Sequence, residues 1–347
     1  MDSFRYLLLP VLNVFLVSSP VRAELVSAII LPHGDLAYDP TFLIPGSSAR
    51  KAADEISQQS RRAAHWFTNA LTGEGIIFLS TPHGIQLTRD FGIYLGRQAS
   101  GTINITGDNA NNSHPPVTVT MPPIDLAGSL GLDLAVELTS NQKEGAFAVE
   151  GIATSADGSR PTPLEWAEII PLTFLPEDKR SSSKYIIWSY PLRRYTESPD
   201  MVPELLEVGA AIRTWMEQIP NRIGVLISGD MSHTHEASGP YGYSNTSAPF
   251  DSAVGHWATN PCNNSASLLL KARALQDRAM SCGFTGLVLL HGMLCGDDNN
   301  DNHRHSPWDP LVNDRVYVNR NATYYGMLVA TFGSRKDVRK RSTQTWL

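Results

Sequence analysis

Charge is scarce in this chain, and positive charge scarcer still. Charged residues make up 18% of the 347, and 28 Lys and Arg against 34 Asp and Glu leave a net charge of -6. The usual share is about a quarter, and nucleic-acid surfaces need clustered Lys and Arg, so DNA and RNA are set aside as partners. Cysteine is nearly absent, with three in the whole sequence. An odd set cannot close entirely into intramolecular bridges, so at least one thiol is left over even in an oxidising compartment. No apolar run reaches the roughly 20 residues of a spanning helix, which leaves no membrane span once a leader is removed. Repeats, heptads, a Gly-rich phosphate loop and a Gly-X-Ser-X-Gly elbow are also missing, so solenoids, coiled coils, P-loop enzymes and the usual serine hydrolases are excluded. What remains is a 42% hydrophobic chain with ample material for a buried core.

The first 23 residues read as a secretory signal: Arg5, an apolar run over 6–17, and small residues leading to Ala23, with cleavage before Glu24. Sequons at Asn104, Asn111, Asn245, Asn263 and Asn321 fit a glycoprotein that is secreted or held in the lumen of the secretory pathway. In that setting the expected bridge joins Cys262 to Cys295 and leaves Cys282 free.

Short β-branched runs at 24–31, 75–80, 91–95, 147–152, 169–175, 184–190, 222–228 and 324–332 read as strands. Helical spacing covers 47–71, 124–139, 201–218, 250–257 and 265–282, and the run 284–294, apolar at nearly every position, reads as a buried helix. The polar, Asn-rich stretch 100–123 reads as an exposed hairpin or insertion. Acidic and amide residues over 297–305 form a hydrophilic loop, read as solvated rather than as a cation cage. The alternation predicts an α/β fold: a single domain over 24–333 with a central mixed, largely parallel sheet flanked by helices. Residues 334–347 read as a basic, disordered tail.

Candidate chemistry collects at strand ends, where open α/β sheets keep their ligands. The first and second strands both run into a Pro-His-Gly turn, at His33 and His83. One turn histidine is ordinarily a solvated cap. Two after successive strands, each with proline restricting the chain before it and glycine removing bulk after it, point to paired metal ligands facing one cavity. The strand ending at Ser228 runs into Gly229-Asp230-Met231-Ser232-His233-Thr234-His235-Glu236. His233 suits acid/base work near neutrality. Asp230 orients it, positions a water or caps the turn. The third ligand is open among Cys282, Asp230 and Glu236, and a buried cysteine also serves as a small hydrophobe.

Taken together, Leu31-Pro-His-Gly-Asp35, Leu79-Ser-Thr-Pro-His-Gly84, Ile227-Ser-Gly-Asp-Met-Ser-His233 with Gly239-Pro-Tyr-Gly-Tyr243 and Phe250-Asp251, and Ser281-Cys-Gly-Phe-Thr-Gly-Leu-Val-Leu-Leu290 resemble the class III extradiol ring-cleavage dioxygenase superfamily. That superfamily includes the protocatechuate 4,5-dioxygenase β subunit and the Memo-like proteins. The resemblance implies Fe(2+), O2 and a small catecholic substrate, with His33 and His83 as metal ligands and His233 as the active-site histidine. Two positions depart from the dioxygenase pattern. Met280-Ser-Cys-Gly283 stands where those enzymes place a glutamate ligand and is similar to the cysteine-containing Memo pattern, and Trp166 stands where they carry a further histidine. With Cys282 as third ligand, copper or zinc becomes the expected metal. The alternative the resemblance leaves is a non-catalytic, Memo-like metal-binding interaction protein.

Overall fold

The computed structural model describes residues 24–71, 75–107, 115–140, 148–296 and 311–334, together with residue 338. The leader at 1–23, the sequon at Asn111, the acidic loop at 297–305 and nearly all of the tail lie outside the described residues.

The strands are β1 (Glu24–Leu31), β2 (Ile76–Thr81), β3 (Phe91–Tyr94), β4 (Gln98–Ile105), β5 (Val117–Asp125), β6 (Val149–Ile152), β7 (Thr162–Pro163), β8 (Lys184–Ser189), β9 (Arg222–Ser228), β10 (Leu311–Asn321) and β11 (Gly326–Ser334). Eight of them form one sheet in the order β10-β11-β1-β9-β2-β8-β3-β6, and β5-β4-β7 form a small second sheet. Pairings β1/β9, β9/β2, β2/β8 and β3/β6 are parallel, whereas β1/β11, β10/β11 and β3/β8 are antiparallel. The central strands are buried along nearly their whole length because helices cover both faces of the sheet. One apolar layer packs Val202–Met216, Ser247–Thr259 and Phe284–Cys295 on one side; the other packs Ser48–Ala70 and Trp166–Phe174 on the opposite side.

Two expectations are corrected. Residues 169–174 are not a strand but lie in the helix Trp166–Phe174, with Leu175 as its extended C-cap. A short apolar run buried on all sides carries no periodicity that separates the two forms, and the deciding signal lies upstream. Glu165 and Glu168 close a reciprocal capping box that starts a helix, even with Pro171 inside it. The helix read over 265–282 breaks into a π-helical turn at Ser267–Ala272 and an α-helix at Arg273–Ala279. It stops where Met280 turns left-handed at φ 57°. The strand β10 was not anticipated: its polar, alternately exposed sequence masks an edge strand that pairs with β11 alone. The polar stretch near 100–123 is the β4/β5 hairpin, with Asn104 exposed. Cys262 and Cys295 are bridged and Cys282 is a free, buried thiol.

Candidate functional site

Strands β1, β9 and β2 lie side by side and parallel, with Leu31 opposite Ser228 and Ser80 opposite Ile227. Their carboxyl ends therefore stop at one level, and the next residues of each, His33, Asp230 and His83, are delivered to one edge of the sheet. The fourth contributor arrives through a close backbone approach. A Cβ on Gly229 would lie 2.6 Å from the Gly283 Cα, and the Gly283 N–H donates to the Asp230 carbonyl at 2.9 Å. Two adjoining glycines thus let the turn after β9 touch the start of the helix Phe284–Cys295, which brings Cys282 under the histidines.

His33 is 2% exposed, and its tautomer follows from its neighbours. Ser228 Oγ donates to the Ala167 carbonyl at 2.5 Å, so at 2.8 Å from His33 Nδ1 it accepts that ring's proton. The lone pair then sits on Nε2, which faces Cys282 Sγ at 3.3 Å. A histidine ligand held by a hydrogen bond at its other nitrogen is the usual arrangement around a metal. The His83 ring lies edge-on to it, with centroids 5.2 Å apart, and stacks on Trp166 at 4.9 Å. His83, His33 and Cys282 each offer a ligand atom within 4.8 Å of one another; Asp230, His233 and Cys282 form a second such group.

Asp230 accepts the His33 backbone N–H at 3.2 Å, and its other oxygen is 3.5 Å from His33 Nε2. This carboxylate thus touches His33 and also lies within 4.8 Å of the ligand atoms of His233 and Cys282. Glu236 is exposed and is not among the cavity walls, so the structure does not bring it to the ligands. His235 is held away by Asp251 at 2.7 Å, and the other Asp251 oxygen accepts the Ser232 N–H at 2.9 Å. That pair fixes the loop on which His233 sits. The His233 ring lies between Tyr325, stacked at 6.0 Å, and Tyr241, edge-on at 5.8 Å, and its Nδ1 is buried without a hydrogen-bond partner.

Burial sets the protonation states. It lowers His33 well below its ordinary value, helped by His83, His233 and Arg194. His83 falls to about 3 through burial and then Arg194, and His233 to about 4, again mainly through burial. All three rings are neutral at pH 7, as ligands and bases must be. Burial, followed by the Asp230 charge, raises the Cys282 thiol to about 12. A cation in the cluster would be needed to draw off its proton. Beneath the His83 turn, burial lifts Glu168 to about 7; this carboxyl accepts from the Tyr94 hydroxyl at 3.2 Å and the Glu165 N–H at 3.0 Å.

His33, His83, Asp230, His233 and Cys282 all line a cavity of 340 Å³. Arg194, Tyr195, Tyr324 and Tyr325 were not singled out from the sequence. Arg194 follows the carboxyl end of β8, the strand beside β2, so the strand-end rule that located the histidines also reaches it. Tyr325 is revealed only by the fold, which presses its ring against Gly34.

No family model matches this chain, and no curated protein does. Among solved structures it is similar to the crystal structure of the uncharacterized protein JW3007 from Escherichia coli K12, at 13% identity and a TM-score of 0.48. The match covers 89% of this chain and 100% of that one.

Proposed function

We propose that the chain is a metal-dependent enzyme of extradiol dioxygenase type, opening a small catecholic ring with O2. One observation carries the reading: two neutral imidazoles and a thiol converge within 4.8 Å at the wall of a 340 Å³ cavity that a third neutral histidine also faces. The volume suits a single-ring substrate. Two nitrogens and one sulfur fit a borderline or soft ion such as copper or zinc. Iron's facial set of two histidines and one carboxylate is not reproduced, since Asp230 groups with His233 and Cys282 rather than with His83.

His33 and His83 would hold the ion, with Cys282 third. Bound there, copper or iron would supply the redox and Lewis-acid chemistry that a ring hydroxyl and O2 require, whereas zinc would supply Lewis acidity alone. The remaining work belongs to the chain. Tyr241 and Tyr325 flank the His233 imidazole, and His233, which lines the cavity, receives the proton of a ring hydroxyl. Asp230 keeps the His33 backbone in place through its N–H.

A second reading is favoured by a specific observation. Cys282 in place of a carboxylate, with Trp166 stacked on His83, describes a site built to hold copper or zinc without turnover, as in an interaction protein. Anaerobic loading with Fe(II), copper or zinc, followed by oxygen uptake on a panel of catechols, separates the two. The enzyme reading expects uptake that disappears in His83→Ala. Metal retained with no uptake for any ion and any catechol leaves only the second.

A further inference from the structure

Arg194 opens the short helix Arg194–Glu197 and lines the cavity, yet it is 4% exposed. Its Nη2 lies 3.2 Å from His83 Nδ1, which the Tyr195 hydroxyl also approaches at 3.2 Å, its guanidinium lies 4.0 Å over the Tyr195 ring, and its Nε is buried without a partner. The groups that bear on its charge are the Tyr195 and Tyr190 phenols and the Cys282 thiol. Among the described residues no carboxylate pairs with it. The adjacent Arg193, by contrast, pairs with Glu204 and Glu197.

A guanidinium stays charged in proteins, and burying one without a counter-ion is costly. Here the cost is met at the wall of a cavity, facing the metal-ligating histidine, where an incoming anion would cancel it. A guanidinium offers its donors as a planar fork that fits a carboxylate with two parallel hydrogen bonds. Trp166, Tyr241 and Tyr325 supply flat faces in the same cavity, whose 340 Å³ lies at the small end for ligand sites. We propose that Arg194 is the anion-recognition residue of this cavity and that the ligand is a small single-ring carboxylate. This rests on the cavity being the substrate site of the reading above and narrows its substrate from catechols in general to ring acids.

The test titrates the full chain with benzoate and with benzamide, its uncharged counterpart of equal shape. Binding is followed by calorimetry in both metal-stripped and zinc-loaded protein. At least tenfold tighter binding of benzoate is expected in one form or both, collapsing to within twofold in Arg194→Gln and partly kept in Arg194→Lys. Equal binding of the two by the unaltered protein in both forms would overturn the proposal, as would a preference that survives Arg194→Gln. The unaltered protein decides the matter even if a variant fails to fold, and Arg194→Gln is expected to melt no lower because it removes an uncompensated charge. An Arg194-dependent preference in protein that retains no metal would strike the metal reading and leave this one standing. Metal retention without the preference would do the reverse.

Discussion

His33 and His83 are each followed by a glycine where a side chain would displace its packed neighbours. A Cβ on Gly34 would lie 2.2 Å from Tyr325 Cε2, and one on Gly84 would lie 2.6 Å from both Glu168 Oε1 and the Tyr94 hydroxyl. Gly84→Ala should therefore cost about 1–3 kcal/mol of stability by thermal or urea unfolding and push His83 out of line. His233 makes a different prediction, because its backbone N–H donates to the Ala279 carbonyl whatever side chain it carries. His233→Gln should retain metal and the fold while lowering the rate of oxygen uptake about 10²–10⁴-fold. The histidines were legible in the sequence because proline and glycine mark a constrained turn at a strand end. Arg194 was not, because an arginine after a strand is ordinary until the fold shows it buried and without a carboxylate. The sequence left Cys282, Asp230 and Glu236 as candidates because only the Gly229/Gly283 contact, between segments more than fifty positions apart, places Cys282 beside His33.

At the scale of elements, the β1-β9-β2 trio does the positioning and the surrounding helices hold it flat. Buried strands and the long helices were readable from hydrophobic runs and 3.6-residue spacing. The helix Trp166–Phe174 was misread since its buried apolar run is ambiguous, and β10 was missed because edge strands tolerate polar residues. The Cys262–Cys295 bridge, 33 positions apart, ties the turn after Ser247–Thr259 to the end of Phe284–Cys295, the helix whose start presents Cys282. Loop closure of that length predicts a loss of about 3–4 kcal/mol when both cysteines become serine. Calorimetric melting of the Cys262→Ser/Cys295→Ser protein checks it, and an unchanged melting temperature would mean that packing alone holds these helices together.

For the whole molecule, burying three neutral imidazoles links stability to pH. In the metal-free chain the folded values, about 3 for His83, about 4 for His233 and well lowered for His33, lie below the ordinary 6.5. Between those values and 6.5 the unfolded chain binds more protons, so stability falls as the solution is acidified from pH 7 toward pH 4. At pH 5 the loss is about 2 kcal/mol each for His83 and His233, and His33 adds to it in the same direction. Glu168 works in the opposite sense: its folded value of about 7 lies above the ordinary 4.5, so its contribution is full below 4.5 and is lost as pH rises through 7. It offsets roughly one histidine of the three. Urea unfolding of EDTA-treated protein at pH 7 and pH 5 should show the net loss, and Glu168→Gln should make it steeper.

The central claim is that His33 and His83 hold one metal ion at the edge of the sheet. Metal stoichiometry of stripped and reloaded protein tests it most directly, with the unaltered chain compared with His33→Ala/His83→Ala. The account predicts about one equivalent of copper, zinc or iron in the former and in His233→Gln, and loss of that ion from the double variant. A folded double variant that holds as much metal as the unaltered chain would contradict it.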